Sequence, residues 1–450
     1  MMNLLPQKLI SLAGALKKPL YAVGGVCRDF LAGLTPAGRR DWDICSPESA
    51  GEVAAAAEEL GFSVTAVYKN TGTVRLTCEG EDYEFTTFRT DKYVRGVHSP
   101  AEVFFTEDIR LDALRRDFKC NAVYYDIRTQ KFVDPLGGIA EIESRTISTV
   151  SDANKVFGED GLRLVRLCRI AAQTGFTPTE ECIEGAIANC ALIDDIAAER
   201  VWEELNAILH ADIKYGVAQA QYEGLKLLKK IGVLARILPE LALGDGMEQR
   251  KDFHAHDVLE HSLRCAAYAP PEIRLAALLH DVGKPYCKIN FGRFARHEDE
   301  GARIAEDICR RLRVSKRQTE LTCTLVRLHM YDLSGEASEN KVRKFIVAHL
   351  DVLDKLLLLK QADFSACKDD LSTAPCVVKW QKIYAKMIDE GVPLTKKQLA
   401  VRGDDLINAG ISPVQTAKTL DFLLGECAIG NVRNQKDALI RFALARRIQG

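Results

Sequence analysis

The chain has 450 residues, which is too long for one ordinary domain and suggests roughly three units. Hydrophobic residues make up 47% and charged residues 28%, a balance that is typical of folded globular chains and excludes disordered and collagen-like classes. The formal net charge of −2 excludes a polycation but is compatible with a basic groove on a near-neutral protein. The fourteen cysteines have no CxxC spacing, which predicts reduced thiols in the cytoplasm, and no apolar run is long enough to predict a membrane helix.

The first 150 residues mix helix and strand signals. Leu5, Leu9, Leu12 and Leu16 fall on one helical face, which predicts an amphipathic first helix. A second helix is predicted at residues 47–60, and short strands at 20–23, 41–45, 64–67, 74–78, 83–88 and 122–125. The fold class predicted for this region is therefore α+β, with a mixed sheet and helices.

After residue 150 the strand signals nearly vanish. Helical spacing predicts helices at 162–172, 201–209, 222–234, 273–280, 302–312 and 350–364. Segments that contain proline or glycine, which interrupt helices, separate them at 239–246, 270–271, 283–285 and 375. Residues 241–253 are the best candidate for a linker between domains. We expect an elongated, mostly helical body after the α+β unit.

The first chemical motif is a strand that ends in Gly24-Gly25 and is followed by Arg28. Two glycines allow a ligand close to the backbone, and Arg28 adds positive charge, although a glycine pair is also common in ordinary turns. Asp41 and Asp43 follow, and on a strand their side chains project to the same face. Two adjacent carboxylates repel each other unless a cation lies between them, so the pair predicts either Mg²⁺ bound with substrate phosphates or a polar strand edge.

Two further motifs combine arginine with carboxylate or amide groups. The segment 115–121 carries two arginines, an aspartate and an asparagine that are suited to phosphates and ribose hydroxyls, namely Arg115, Arg116, Asp117 and Asn121. Asp160 and Arg163 lie three residues apart at the start of a predicted helix, where they offer the acceptor and donor groups that reading a base edge requires. Taken alone, the first motif is more typical of a charged loop and the second of an ordinary ion pair.

The order of these motifs, GGxxRD, DxD, RRDFxxNA and EDxLR, resembles the class II tRNA nucleotidyltransferases (CCA-adding enzymes) and the related bacterial poly(A) polymerases. The resemblance covers residues 18–215 and continues more weakly to the C-terminus. It implies a nucleotidyltransferase head at 1–150 and a helical, RNA-binding neck at 151–240. It also implies template-independent addition of CCA to the 3′ end of tRNA from CTP and ATP, with release of pyrophosphate by a two-metal reaction.

The resemblance also implies a role for each motif residue. Asp41 and Asp43 would hold the catalytic Mg²⁺ ions, and Gly24, Gly25 and Arg28 would hold the triphosphate. The ribose and phosphates of the nucleotide would be bound by Arg115, Arg116, Asp117 and Asn121. Asp160 and Arg163 would pair with the Watson–Crick edge of CTP or ATP, with Arg166 orienting that pair.

Several members of the family would fit these motifs. The segment 89–105, which contains Thr90, Asp91 and Arg95, corresponds to the loop that CCA-adding members use when they switch from C to A, and it is full length here. Residues 67–74 lack the basic, His-containing stretch of the poly(A) polymerases. We therefore predict full CCA addition, with a poly(A) polymerase or a CC-only or A-only enzyme as alternatives.

A second constellation lies further along the chain, where six of the nine histidines fall between residues 254 and 329. The pattern His261, His280-Asp281 and Asp363 resembles the HD phosphohydrolases, and His297 and His329 match extra ligand positions of dinuclear members. The resemblance implies a site for Mg²⁺, Mn²⁺, Ni²⁺ or a similar ion and an additional phosphohydrolase activity. The alternatives are a scaffold that has lost its metal, and a phosphohydrolase whose head only binds RNA.

The predicted HD domain covers residues 241–371, and the helical tail at 372–450 would contact the tRNA elbow. Basic residues cluster at 303–317 and 430–450, and either cluster is a candidate for RNA contact or a solvated helix face. The expected partners are thus tRNA, CTP and ATP, with no membrane, and the oligomeric state does not follow from the sequence.

Overall fold

A computed structural model describes residues 5–38, 41–92 and 102–446. The chain divides into two compact units. Unit one comprises Met1–Ala242 with Arg311–Val314, and unit two comprises Leu243–Arg310 with Ser315–Gly450.

Unit one begins with an α+β region in which short strands alternate with short helices. Its elements are α1 (Gln7–Ala15), β1 (Tyr21–Val23), α2 (Gly25–Leu31), β2 (Asp41–Ser46), α3 (Ala50–Glu59), β3 (Ser63–Tyr68), β4 (Thr73–Cys78), β5 (Glu81–Thr87), β6 (Arg89–Lys92), β7 (Glu102–Phe105), α4 (Ile109–Leu114), β8 (Tyr124–Asp126), β9 (Lys131–Val133), α5 (Gly138–Ser144) and β10 (Thr146–Ile147).

Seven of these strands form one mixed sheet in the order β3-β4-β5-β2-β1-β8-β9. All neighbours are antiparallel except β2 and β5, which run parallel with Asp41 opposite Asp82. In β2 the side chains alternate, so Trp42 and Ile44 are buried in the core while Asp41 and Asp43 are exposed on the other face. The central position of β2 therefore fixes the two carboxylates on a rigid part of the sheet.

The rest of unit one is helical. It contains α6 (Ala153–Glu159), α7 (Leu162–Thr174), β11 (Thr177–Pro178), α8 (Glu180–Asn189), α9 (Ala198–Leu209), α10 (Ala211–Tyr215), α11 (Ala220–Lys230), α12 (Leu234–Ile237) and α13 (Pro239–Ala242). Helix α7 is buried along most of its length and packs against α9 and α11. The short β11 pairs in parallel with β10.

Unit two is entirely helical in the part of it that the structure describes. Its helices are α14 (Val258–Tyr268), α15 (Arg274–Leu279), α16 (Gly283–Phe291), α17 (His297–Arg311), α18 (Lys316–Leu328), α19 (Glu339–Ala348), α20 (Leu353–Lys368), α21 (Pro375–Asp389), α22 (Gly403–Asn408), α23 (Pro413–Ala428) and α24 (Lys436–Ala445). One apolar core runs from Cys265 through Trp380 to Ala443, so the last helices pack on the same core as α14 and α20.

The predicted fold class, a mixed-sheet head followed by a mostly helical body, is confirmed. Two element predictions differ in detail. Residues 119–121 form a 3₁₀ turn, in which the Ala122 amide donates to the Lys119 carbonyl (2.9 Å), so the strand predicted at 122–125 begins later, as β8. The helix predicted at 222–234 is interrupted after Lys230, because Gly232 has a φ of +79° and ends it.

All fourteen cysteines are free thiols. Eleven of them are buried, and three are half-buried, namely Cys190, Cys323 and Cys367. The buried ones behave as small apolar residues of the two cores.

Candidate functional site

A cavity of about 500 Å³ opens in unit one beside the sheet. It is lined by all twelve residues that the sequence analysis assigned to the head and neck, namely Gly24, Gly25, Arg28, Asp41, Asp43, Arg115, Arg116, Asp117, Asn121, Asp160, Arg163 and Arg166. Four motifs spread over more than 140 positions of the chain therefore meet at one place. Asp29, Arg89, Asp91, Arg169, Arg200 and Lys214 complete the polar lining.

The carboxylates of Asp41 and Asp43 face this cavity from β2. Although its side chain is open to the cavity, the surrounding protein displaces water from Asp43 and raises its pKa, and the nearby Arg116 guanidinium only partly opposes that effect. Gly24 approaches Asp43 so closely that a Cβ at position 24 would lie 2.9 Å from Asp43 Oδ2. The two carboxylates lie on one strand, and the Gly24 backbone lies close to one of them. Their oxygen atoms form a donor set that suits a hard divalent cation.

Arg28 lines the cavity and is almost fully buried. Its guanidinium donates to Asp29 Oδ1 (2.6 and 3.0 Å) and to Asn121 Oδ1 (2.7 Å). The hydroxyl of Tyr215, at the end of α10, donates to Asp29 Oδ2 (2.5 Å). Asn121 and Tyr215 are thus both joined to one arginine–carboxylate pair.

The arginines after α4 are held by one fully buried carboxylate. Asp112 accepts from Arg115 (2.8 Å) and Arg116 (3.1 Å), and it also accepts from the hydroxyl of Tyr124 (2.7 Å). Burial alone would raise the pKa of Asp112, but the two guanidinium groups outweigh it and lower this pKa. The geometry therefore fixes both cations at the cavity wall.

Asp117 joins this wall to helix α7. Its Oδ2 accepts two bonds from the Arg166 guanidinium (2.7 and 2.9 Å), and its Oδ1 accepts from the Asn121 amide (3.1 Å). Burial opposes ionisation, but Arg166 and Asn121 hold the pKa of Asp117 well below its usual range. Arg166 also lies 3.6 Å from Glu204, which in turn binds Arg169.

Asp160 and Arg163 lie at the start of α7, as predicted, but their side chains have different partners. Asp160 Oδ1 accepts from the Leu162 amide (3.0 Å), and its Oδ2 lies 3.8 Å from Arg200. Arg163 donates to the carbonyls of Val156 and Arg115 (both 2.8 Å) and to Glu159. Arg163 thus links α6, α7 and the 115–117 segment.

Sequence reasoning missed the neck residues that reach this site. Lys214 and Tyr215 come from α10, and Glu204 comes from α9. Burial lowers the pKa of Lys214. None of these residues lies in a motif, and each meets partners that are distant in the sequence, so no local pattern could have found them.

Three family models match this chain. The poly A polymerase head domain matches residues 20–148, the probable RNA and SrmB-binding site of polymerase A matches 175–243, and the HD domain matches 258–356. A multifunctional CCA protein of Ralstonia nicotianae is 30% identical over 78% of this chain and 81% of its own length. An A-adding tRNA nucleotidyltransferase of Deinococcus radiodurans is also 30% identical, over 78% of this chain and 77% of its own length.

The chain belongs to the poly(A) polymerase/tRNA nucleotidyltransferase family. The resemblance read from the four motifs is thereby confirmed. A crystal structure of the Bacillus stearothermophilus CCA-adding enzyme in complex with CTP has the same fold, with a TM-score of 0.67 and 23% identity, covering 98% of this chain and 97% of that one. The Thermotoga maritima CCA-adding enzyme complexed with tRNA also shares it, with a TM-score of 0.57 and 16% identity, covering 97% and 94%.

This nucleotidyltransferase family member carries a second polar cluster, within unit two. His261 Nε2 lies 3.2 Å from His280 Nε2 and 3.0 Å from Asp363 Oδ1. His297 Nε2 lies 3.1 Å from Asp281 Oδ1 and 3.3 Å from His329 Nε2. These are two groups of potential metal ligands, and Asp281 connects them because its Oδ2 lies 3.3 Å from His280 Nε2.

The six side chains of this cluster are buried, and four of them are the residues predicted as HD ligands. Nitrogen and oxygen atoms that converge at these distances are suited to divalent metal ions. Three of the histidines present Nδ1 to a backbone carbonyl, as metal-binding histidines commonly do: His280 to Ala277, His297 to Phe294 and His329 to Val326. The residues present therefore fit a divalent-metal centre.

In the cluster at 303–317 most basic residues contact carboxylates, whereas in the cluster at 430–450 one described residue does, Lys436. Arg303 and Arg310 both contact Asp307, Arg313 lies 3.7 Å from Glu199, and Lys436 contacts Asp405. Arg95 and Arg447 lie outside the described residues. Within the described residues, no helix combines the length and apolar character that crossing a bilayer demands.

Proposed function

We propose that this chain adds CCA to the 3′ end of tRNA, using CTP and ATP and releasing pyrophosphate. The observation that carries the proposal is the single cavity in which a carboxylate pair faces several arginines. Relatives named multifunctional CCA proteins, which match over two thirds or more of this chain, support the choice of substrate.

Asp41 and Asp43 would hold Mg²⁺, and two ions bound with the nucleotide phosphates fit their oxygen donors. When bound, Mg²⁺ activates the attacking hydroxyl and stabilises charge on the departing pyrophosphate. The contribution of the chain is to fix both carboxylates on a central strand, with Gly24 drawn against Asp43. Replacing Gly24 by any residue with a Cβ would push that carboxylate away.

The nucleotide would lie along the arginine wall. Gly24, Gly25 and Arg28 would bind the triphosphate, while the ribose and remaining phosphates would contact Arg115, Arg116, Asp117 and Asn121. Arg115 and Arg116 are already oriented by Asp112, so little side-chain entropy is lost when they receive phosphate oxygens. Asp117, anchored by Arg166, would accept from a ribose hydroxyl.

Base selection would belong to Asp160 and Arg163, with Arg166 positioning them. Arg163 donates to two backbone carbonyls, which hold its guanidinium at the cavity. The tRNA 3′ end would enter the same cavity, and the elbow would contact the tail at residues 372–450.

Two alternatives use the same cavity. One is addition of A alone, which the A-adding relative of Deinococcus radiodurans favours. The other is poly(A) synthesis, which the name of the matched head model favours. Addition of CC alone is a further variant of the same chemistry.

The deciding experiment supplies tRNA lacking CCA, or ending in CC, with CTP, ATP or both, and reads the products at single-nucleotide resolution. Addition of two residues with CTP alone and three with both nucleotides supports the proposal. Extension only of tRNA ending in CC would make this an A-adding enzyme, a ladder of A would make it a poly(A) polymerase, and a stop after two residues with both nucleotides would make it CC-adding.

The matched variants are Asp41→Ala and Asp82→Ala. Asp82 faces Asp41 in the neighbouring strand but does not line the cavity. We expect Asp41→Ala to lower addition by roughly 10²–10³-fold or more and Asp82→Ala to leave it nearly unchanged. Equal effects of the two variants would contradict the assignment of Asp41.

The cluster in unit two supports a second proposed activity. His261, His280, Asp281 and Asp363 would hold a divalent ion such as Mg²⁺, Mn²⁺ or Ni²⁺ and hydrolyse phosphoesters, including 2′,3′-cyclic phosphates. The observation that favours it is the convergence of two ligand groups on Asp281. The proposed domains are a head at 1–150, a neck at 151–240, an HD domain at 241–371 and a tail at 372–450, in a cytoplasmic protein.

A further inference from the structure

The histidines of the unit-two cluster are not equivalent. His280, His297 and His329 each present Nδ1 to a backbone carbonyl. His261 is fully buried, and its Nδ1 has no hydrogen-bond partner among the described residues. A buried nitrogen without a hydrogen-bond partner costs free energy. Metal-binding histidines normally engage their second ring nitrogen in a hydrogen bond. We therefore expect Nδ1 of His261 to have a partner.

A thiol and a further imidazole lie beside His261. The ring of His254 stands edge-on to that of His261, with centroids 4.8 Å apart. Cys367 Sγ lies 3.5 Å from His254 Nδ1, and one potential ligand atom from each of the three residues lies within 4.8 Å of the other two. This group shares His261 with the group of His280 and Asp363, and it shares no residue with the group that contains Asp281.

We propose that His254, Cys367 and His261 form a third metal site, which takes a thiophilic divalent ion of the Zn²⁺ class. Zinc binds sulfur at about 2.3 Å and nitrogen at about 2.0–2.1 Å, which places the two atoms about 3.5 Å apart at a tetrahedral angle. The His254–Cys367 separation of 3.5 Å matches this value. His261 would bridge, with Nε2 toward the Asp363 group and Nδ1 toward the new ion.

The segments that carry these ligands are already fixed in place. The Ala255 amide donates to the Cys367 carbonyl (2.8 Å), and Lys368 Nζ donates to the Asp252 carbonyl (2.7 Å). Asp363 and Cys367 lie one turn apart on α20, so this helix serves both sites. His254 and Cys367 are only half-buried, which leaves an entry path and room for a water as fourth ligand.

Binding would release protons and involve no redox change. The Cys367 thiol loses its proton to solvent as the sulfur–metal bond forms, and any proton on Nδ1 of His261 leaves in the same way. The site does not depend on nucleotide addition by the head, so its test uses metal content and spectroscopy.

The experiment strips the full chain of metal, reconstitutes it with Co²⁺ alone, and measures cobalt per chain together with the ultraviolet charge-transfer band of a cobalt–thiolate bond. We expect the wild-type chain to show this band, and Cys367→Ser to lose the band and one equivalent of cobalt. His254→Ala should weaken cobalt binding at the same site, with circular dichroism confirming that both variants fold.

The matched control is Cys265→Ala, because Cys265 is the other thiol beside this cluster and packs near His280. The band should survive in this variant and in Asp281→Ala, which removes the residue that connects the other two groups. Absence of the band in the wild-type chain, or its persistence in Cys367→Ser, would overturn the proposal. Loss of the band in Asp281→Ala would overturn the assignment of a separate site.

Discussion

The hydroxyl of Tyr215 donates a hydrogen bond to Asp29, and Asp29 in turn accepts from the buried Arg28, which lines the cavity. Tyr215 belongs to none of the sequence motifs, yet it contacts the Arg28–Asp29 pair that follows the glycine turn. The twelve motif residues were predictable because their types and order carry chemical information along the chain. Tyr215 and Glu204 were not, because only the folded chain brings them to partners that are distant in sequence.

We expect Tyr215→Phe to remove the hydroxyl that donates to Asp29 and accepts from Arg28, at a cost of about 1 kcal/mol, and to lower kcat/KM for nucleotide addition roughly fivefold. A positioning role predicts that the loss falls on KM for the nucleotide and not on kcat, while the melting temperature falls by only a few degrees. Tyr68→Phe is the control, since Tyr68 is half exposed on β3. Equal kinetics for the two variants would contradict this role.

The Asp117–Arg166 pair predicts a pH-dependent contribution to stability. The pKa of Asp117 is lowered in the folded chain, so its stabilisation is present above the ordinary aspartate pKa and is lost as the pH falls through that value toward the folded pKa. We expect Asp117→Asn to reduce the free energy of unfolding by about 2 kcal/mol at neutral pH. Urea titrations should show the difference between wild type and variant shrinking in acid, and a constant difference would refute the pairing.

At the scale of elements, the start of α7 depends on close packing. Gly161 precedes this helix, and a Cβ there would lie 2.3 Å from the carbonyl oxygen of Leu192. From sequence alone, a glycine at the start of a helix has no evident reason, because glycine is a poor helix former. Its reason becomes visible only with the packing of the 3₁₀ turn Cys190–Asp195 against it.

Gly161→Ala should therefore destabilise the chain by roughly 1–3 kcal/mol and impair nucleotide selection, because Asp160 and Arg163 flank the displaced residue. Gly158→Ala is the matched control, since its nearest neighbour is 3.9 Å away and alanine favours helix α6. Thermal unfolding and the ratio of CTP to ATP incorporation measure both effects. A Gly161→Ala chain as stable as the control would show that the contact is relieved without cost.

Alternation and helical spacing predicted most strands of the large sheet, such as β2 and β5, and several helices, such as α7 and α20, whereas the sheet order was not predictable. The parallel pairing of β2 with β5 places Asp41 opposite Asp82, although forty-one positions separate them. Local patterns contain no information on such pairings. The break after Lys230 shows the same limit, since Gly232 ends a helix through its left-handed backbone and not through its side chain.

At the scale of the whole molecule, the two candidate sites belong to different compact units. Asp41 and Asp43 lie in unit one, and the histidine cluster lies in unit two. Chemistry at one site therefore shares no side chain with chemistry at the other.

We expect His280→Ala or Asp281→Ala to abolish phosphoester hydrolysis and to leave nucleotide addition within about twofold of wild type. Asp41→Ala should have the opposite effect. Hydrolysis of a 2′,3′-cyclic phosphate and single-nucleotide extension of tRNA, measured on the same preparations, provide the comparison. Joint loss of both activities in one folded variant would contradict two independent sites.

The three half-buried thiols are natural attachment sites for spectroscopic labels, so no cysteine has to be introduced. Cys190 belongs to unit one, whereas Cys323 and Cys367 belong to unit two. Replacing Cys367 by serine leaves one half-buried thiol in each unit, and a maleimide reagent would attach a fluorescent dye to both. Energy transfer between a donor and an acceptor dye would then report how the separation of the two units changes when tRNA is added.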